Sequence, residues 1–174
     1  MDFENEQVAV HALPSIDQLN YKGIQKDYLK LTLIYATINN LVLGAALIAF
    51  FLFKPFELPM VAWYALPCIY LIRLVWLYVS SYKSFNYKSY AIREKDIVYR
   101  RGWLWRSTVT APFNRVQHLQ IDQGPLERKM GLSKLKIFTA GGNSSDITIP
   151  GLRPQEARNI KQFIVGKTAM DEEE

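Results

Sequence analysis

The chain has 174 residues, of which 49% are hydrophobic, and a net charge of +5. Its single cysteine, Cys68, excludes an intrachain disulfide framework and a thiolate zinc site. The apolar residues are concentrated between Leu31 and Tyr82, so the chain divides into a membrane part and a water-exposed part of about 85 residues, enough for one small core.

Basic charge is concentrated in the water-exposed part. Residues 83–167 carry sixteen Lys or Arg against six acids, whereas residues 1–30 carry three Lys against five acids and the last four residues are acidic. A basic domain tethered to a bilayer is drawn to the anionic leaflet, so we expect anionic headgroups as a partner. No nucleic acid is expected, because the exposed aromatic row of a stacking platform is missing.

The first apolar segment, residues 31–53, contains no charge. As a helix it would be roughly 34 Å long, enough to cross a hydrocarbon core of about 30 Å. The chain begins with Asp2, Glu4 and Glu6 and lacks the cationic start of a cleavable signal, so we expect this segment to stay in the mature protein.

A second apolar segment covers about residues 58–82. Only residues 54–59 separate it from the first, so the helices must be antiparallel neighbours, and Pro55 and Pro59 suit a tight turn. The loop has one basic residue, Lys54. Those flanking the hairpin are Lys22, Lys26, Lys30, Lys83, Lys88 and Arg93. This distribution predicts that both termini are cytoplasmic.

Arg73 lies inside the second apolar segment, where an uncompensated charge costs at least about 2.5–3.5 kcal/mol. One interpretation is that the side chain extends toward the cytoplasmic headgroups, past Trp76 and Tyr78. A second is that it hydrogen-bonds across the helix interface to Asn39 or Asn40, which lie at similar depth in an antiparallel pair.

The pattern after Ser84 changes to short runs of period two, typical of half-buried antiparallel strands. The predicted inward-facing residues are Tyr90, Ile92, Ile97, Tyr99, Leu119, Ile121, Leu135, Ile137, Ile147 and Ile149. A short helix is predicted at residues 124–131, and a closing helix from Pro154 to about Gly166. Residues 141–145, GGNSS, predict a hairpin turn, since a phosphate loop would feed a helix.

Several motifs in this part resemble one family. These are QGPL at 123–126, GL at 131–132, TAG at 139–141, IPGL at 149–152 and the RRGW turn at 100–103. Together they resemble the bacterial pleckstrin-homology (PH) domain family, and the two-helix hairpin ahead of a single domain resembles its YdbS-like members. The resemblance implies an α+β membrane protein with a PH-like β-barrel or sandwich capped by a C-terminal helix.

The predicted organisation has four parts: a cytoplasmic N-terminal segment (1–30), a transmembrane hairpin (31–82), a PH-like domain (83–167) and an acidic tail (168–174). The resemblance implies a multi-pass protein of the bacterial inner membrane, without enzymatic activity or cofactor. It also implies a binding or scaffolding role with another PH-domain membrane protein, YdbT-like, in envelope maintenance or stress resistance. The alternative function is an accessory subunit of a membrane transporter or exporter. A homo-oligomer is a further partner to consider.

The candidate contact residues lie mainly in one turn. Arg100, Arg101, Trp103, Trp105 and Arg106 combine cations with indoles, which favours the headgroup layer. A contact with a partner protein, and Trp side chains that simply pack against the domain, remain alternatives for this turn.

Two other candidate features are distinct from the turn. Lys134 and Lys136 are expected to form an exposed basic edge, either for contact or to protect a strand. Ser107, His118 and Asp122 can be written as a hydrolytic triad, but no nucleophile elbow surrounds the serine and no catalysis is expected. Residues 93–96, REKD, are nearly charge-balanced, which argues against a phosphoinositide pocket in that loop.

Overall fold

Two long antiparallel helices precede the strands. The computed structural model describes residues 18–53, 59–140 and 147–171, with side chains up to residue 168. Helix α1 (Asp27–Phe53) and helix α2 (Met60–Asn86) pack side by side. Thr37, in the first half of α1, lies against Tyr78 of α2, and the rings of Phe51 and Trp63 are 4.9 Å apart where α1 ends and α2 begins.

Both helices are long and apolar enough to cross a membrane, and they present their apolar side chains outward. In the most apolar stretch of each helix only 11% of the residues in α1 and none in α2 are buried. A core helix of a soluble protein would be mostly buried. The exposed apolar surface is therefore the surface that a bilayer would cover.

The strands form two antiparallel sheets. In the first, neighbouring strands follow the order β1 (Lys22–Gly23), β2 (Ser89–Ile92), β3 (Asp96–Arg101) and β4 (Ser107–Pro112). In the second the order is β5 (Val116–Asp122), β6 (Ser133–Thr139) and β7 (Ile147–Leu152). A 3-10 turn, Phe113–Arg115, leads from the first sheet to the second, and the short helix α3 (Pro125–Lys129) joins β5 to β6.

The core lies between the two sheets and the last helix, α4 (Pro154–Asp171). Ala157, Ile160 and Ile164, at helical spacing, are buried and close the core. The strands contribute Tyr90, Ile97, Tyr99, Leu119, Leu135, Ile137, Ile147 and Ile149, all predicted from the period-two pattern. Ile92 was also predicted to face inward, but it is 38% exposed. The buried residues of β2 are Tyr90 and Ala91.

The predicted fold class, a helical hairpin followed by a PH-like antiparallel domain with a C-terminal helix, is confirmed. Of the two expected forms of the domain, the described residues show the sandwich and not a closed barrel. In that part of the chain β1 and β4 end one sheet while β5 and β7 end the other. The 3-10 turn after Pro112 redirects the chain between the sheets instead of continuing a ladder.

The boundaries differ from those expected near both ends of the chain and at the end of the hairpin, where α2 continues past residue 82 to Asn86. Lys22 and Gly23, expected in a separate N-terminal segment, pair with Tyr90 and Ser89 and so belong to the first sheet. Helix α1 begins at Asp27, and α4 continues beyond Gly166 to Asp171. The hairpin turn predicted at residues 141–145, the loop residues 54–58, the first seventeen residues and the end of the acidic tail lie outside the described residues.

Candidate functional site

The β3–β4 turn folds back onto helix α2. Trp103 Nε1 donates a hydrogen bond to Ser80 Oγ at 3.2 Å, and the ring lies 5.6 Å from the ring of Trp76. Lys83 Nζ lies 4.8 Å from the centre of the same indole. Trp103 therefore joins the strand domain to the last three turns of α2.

The tip of this turn points away from the protein. Gly102 has a φ of +85°, which lets the chain reverse sharply after β3. The next side chains, Leu104 and Trp105, are 59% and 83% exposed. The two indoles thus differ in environment: Trp103 packs against a helix, and Trp105 is free to enter an interfacial layer.

The three arginines of the turn border one cleft of about 280 Å³. Arg106 Nη2 donates to the hydroxyl of Tyr87 at 3.2 Å, and its guanidinium carbon lies 4.9 Å from the centre of the same ring. The guanidinium of Arg100 lies 3.9 Å from the ring centre of Tyr21. The other residues that line the cleft are Arg101, Gly102, Ser107 and Thr108. All five predicted turn residues therefore lie at the end of the domain that contacts α2.

Lys134 and Lys136 lie elsewhere, and the expectation of an exposed basic edge was wrong. They are on β6, the central strand of its sheet, and their side chains are about one third exposed. Lys134 pairs with Glu127 and Lys136 with Asp122, at 3.6 and 2.8 Å. The hydrogen bond from Lys136 is the main cause that lowers the pKa of Asp122. Alternation of charge and hydrophobicity could not tell a central strand from an edge.

The structure places Arg73 against both predicted asparagines. Its Nη1 and Nη2 atoms donate to Asn40 Oδ1 at 2.6 Å and to Asn39 Oδ1 at 2.5 Å. The hydroxyl of Tyr70 donates to the carbonyl oxygen of Asn40 at 2.9 Å. These side chains form a polar cluster, hereafter the Arg73 cluster, between α1 and α2.

The residues considered for a phosphoinositide pocket or a hydrolytic triad contact other side chains. Arg93 forms an ion pair with Asp96, so two of the four charges at residues 93–96 are engaged with each other. The ring of His118 lies 5.4 Å from the ring of Phe138, and Asp122 accepts from Gln120 and pairs with Lys136. None of these contacts positions a base on Ser107.

Comparison with known proteins fits this arrangement. Residues 30–168 match the bacterial PH domain family, which is most of the chain and includes the hairpin. The chain belongs to the bacterial PH domain family. It is also 36% identical over 75 residues to the UPF0699 transmembrane protein YdbS of Bacillus subtilis (strain 168). That match covers 43% of this chain and 45% of YdbS, so less than half of the relative is spanned; no solved structure matches.

A junction that the sequence did not reveal ties the PH-like domain of this family member to its N-terminal segment. Glu156, in the first turn of α4, pairs with Lys22 Nζ at 2.5 Å and accepts from the Tyr90 hydroxyl at 2.7 Å. Gln25 lies 3.5 Å from the other carboxylate oxygen. These side chains border a cleft of about 620 Å³. The sequence gives no signal for this junction, because its members are 66 and 134 residues apart.

The Glu156 junction makes the stability of the domain depend on pH. Burial alone raises the pKa of Glu156, but the hydrogen bonds from Lys22 and Tyr90, the charge of Lys22 and the backbone N–H of Arg153 together outweigh burial, and the pKa lies below its ordinary value of 4.5. The pairing therefore contributes its full stability above about pH 4.5 and loses it as the pH falls through the lower folded pKa.

We expect Glu156→Gln to lower the thermal midpoint of the protein in mild detergent at pH 7, because the amide cannot pair with the charge of Lys22. The difference from the wild type should shrink as the pH falls below 4.5. Glu94→Gln, in the exposed turn before β3, is the control and should leave the midpoint unchanged. A difference in thermal midpoint between Glu156→Gln and the wild type that stays constant from pH 7 to pH 3 would contradict the pairing of Glu156 with Lys22.

Proposed function

We propose that this protein is a non-enzymatic, membrane-anchored binding module of the bacterial inner membrane. In this proposal the hairpin spans the bilayer with both termini cytoplasmic, and it holds the PH-like domain against the inner leaflet. The observation that carries the proposal is the docking of Trp103 on α2 beside the exposed pair Leu104 and Trp105.

Three attachments support a fixed orientation of the domain on the hairpin. Besides Trp103 on α2, the Tyr35 hydroxyl of α1 donates to Glu127 of α3 at 3.3 Å. The backbone N–H of Gln25, just before α1, donates to the carbonyl of Gly151 in β7 at 2.9 Å. A domain held at both helices presents one surface to the bilayer, and that surface includes the β3–β4 turn.

The composition of the turn suits an anionic headgroup layer. Each Lys or Arg near an anionic leaflet contributes about 1 kcal/mol, and tryptophan prefers the same layer. Arg101 and Arg106 are exposed, as is Trp105. With the hairpin already providing the anchor, such contacts would set the orientation of the domain more than its membrane affinity.

The role that follows for the rest of the domain is to recruit or organise a partner. Its family membership favours another membrane protein with PH domains, of the YdbT type, in a complex that supports envelope maintenance or stress resistance. The alternative is an accessory subunit of a membrane transporter or exporter, in which Arg73 would take part in a transport pathway. Copurification in mild detergent distinguishes the two, because a second PH-domain protein favours our proposal and a stoichiometric transporter favours the alternative.

A nitroxide at position 105 tests the membrane contact. We expect a label on Trp105→Cys, in a Cys68→Ser background and in bilayers with phosphatidylglycerol, to be more accessible to oxygen than to a water-soluble nickel complex. Glu94→Cys is the control, because residue 94 lies at the other end of β3, roughly 20 Å away along the strand. Higher nickel access at both positions would overturn the proposed orientation.

A further inference from the structure

The Arg73 cluster lies at the middle of the hairpin. Arg73 is thirteen residues from either end of α2, and Asn40 is thirteen residues from either end of α1. Arg73 also precedes Lys83 by ten residues, which is about 15 Å along a helix and half of a hydrocarbon core. This guanidinium is therefore the deepest charge of the protein.

The charge of Arg73 has no acidic partner in either span. Asn39 and Asn40 are neutral acceptors, and neither residues 31–53 nor residues 60–82 contain an acidic side chain. A guanidinium has five N–H donors, and the two bonds to the asparagines leave further donors available. In addition, Asn40 Nδ2 is buried without a hydrogen-bond partner among the described residues. A carboxylate would complete this site.

A furrow of about 360 Å³ leads from Arg73 along the surface of the hairpin. Its walls combine hydroxylated side chains with apolar ones: Thr32, Trp76, Leu77, Ser80, Ser81, Ser84 and Lys88. Arg73, Leu77, Ser80 and Ser84 follow one another at helical spacing and form a single stripe. Small hydroxylated residues on such a stripe allow another helix to approach closely.

We propose that this furrow binds a transmembrane helix of a different protein, and that this helix carries an Asp or Glu at mid-membrane whose carboxylate pairs with Arg73. A second copy of this chain offers no such carboxylate in either span. A lipid phosphate would have to descend about 15 Å below its own headgroup layer to reach the same depth. A helix delivers an acidic side chain to that depth by its own geometry.

The inference deepens the proposed assembly with a second membrane protein by stating the chemistry of the contact inside the bilayer. Its charge pairing depends on Arg73 in the hairpin and not on the exposed tip of the β3–β4 turn, although Trp103 of that turn contacts Ser80 and Trp76 in the furrow wall. Failure of the position 105 labelling experiment would thus leave it standing, and failure of the experiment below would leave the headgroup contact standing.

The test uses the full chain in neutral phosphatidylcholine bilayers and a labelled Leu-rich transmembrane peptide as the probe. The peptide carries Asp, Asn or Leu at its centre, and energy transfer to a dye on Cys68 reports association. We expect the Asp peptide to bind roughly tenfold more tightly than the Leu peptide, the ratio given by an interhelical bond of about 1–2 kcal/mol. The Asn peptide should lie between them.

Arg73→Gln keeps a donor for the asparagines but removes the charge, and it should abolish the advantage of Asp over Asn. Arg73→Lys keeps the charge and should retain it. Equal binding of all three peptides to the wild-type protein would overturn the inference without any variant. An Asp advantage that persists in a folded Arg73→Gln protein would also overturn it.

Discussion

Gly151→Ala is expected to detach α1 from the second sheet and to lower the unfolding free energy by roughly 2–5 kcal/mol. Gly151 has a φ of +67°, which an alanine adopts only with strain. A Cβ added there would also lie 2.7 Å from Cβ and 2.8 Å from Cγ of Tyr28. Those atoms are close to the backbone of α1 and cannot move without shifting the helix.

Gly131→Ala is the matched control for this substitution. Gly131 has nearly the same backbone angle, with a φ of +64°, but an added Cβ would have no neighbour within 4 Å. We expect the unfolding free energy of this variant to fall only by the cost of the strained backbone, about 1–2 kcal/mol. Unfolding measured in mild detergent should show a larger loss of unfolding free energy for Gly151→Ala than for Gly131→Ala. Equal losses would show that Tyr28 does not hold α1 against β7 in the way described.

Gly102→Ala is expected to have the second large effect, on the β3–β4 turn. The added Cβ would lie 1.8 Å from the backbone oxygen of Trp105 and 2.9 Å from its carbonyl carbon, so the turn cannot keep its shape. Opening the turn withdraws Trp103 from Ser80 and Trp76. We expect the unfolding free energy to fall by roughly 2–4 kcal/mol, the combined cost of backbone strain and of partly unpacking an aromatic side chain.

The measurement for Gly102→Ala is site-specific as well as global. Hydrogen exchange of the full chain in lipid nanodiscs should speed up in residues 103–106, while the core strands β6 and β7 keep their protection. Gly23→Ala, where an added Cβ would meet nothing within 4 Å, serves as the control and should not change this exchange. Unchanged exchange in the turn of Gly102→Ala would contradict the docked geometry.

Periodicity predicted the parts of this fold in which local pattern and burial agree. The two long apolar runs, the second interrupted only by the charge of Arg73, predicted both helices. Alternation in β3, β6 and β7 identified side chains that are almost fully buried, such as Ile97, Leu135 and Ile149. In β6 and β7 apolar residues alternate with polar ones and one face must be buried, so the local pattern determines which side chains point inward.

The contacts between distant elements could not be predicted in the same way. Two residues, Lys22 and Gly23, are too few for a periodic signal, yet they extend the first sheet. The split between Trp103 and Trp105 depends on the reversal at Gly102, since only the folded turn decides which indole meets α2. For Lys134 and Lys136 the missing information was strand order, which an alternating pattern does not contain.

The contact of Arg73 with Asn39 and Asn40 was the one contact between distant residues that the sequence did predict. Counting residues from Lys30 and from Lys83 placed Arg73 level with Asn39 and Asn40, and the structure brings these three side chains within hydrogen-bond distance. The bilayer makes this possible, because it aligns two antiparallel helices along one axis with a constant rise per residue.

The native Cys68 offers the most direct test of the central claim that α1 and α2 cross the bilayer. This exposed residue lies eight positions into α2, about 12 Å from its first residue along the helix. For a nitroxide on Cys68 in reconstituted bilayers, the account predicts high accessibility to oxygen and almost none to a water-soluble nickel complex. A label readily reached by the nickel complex would contradict it.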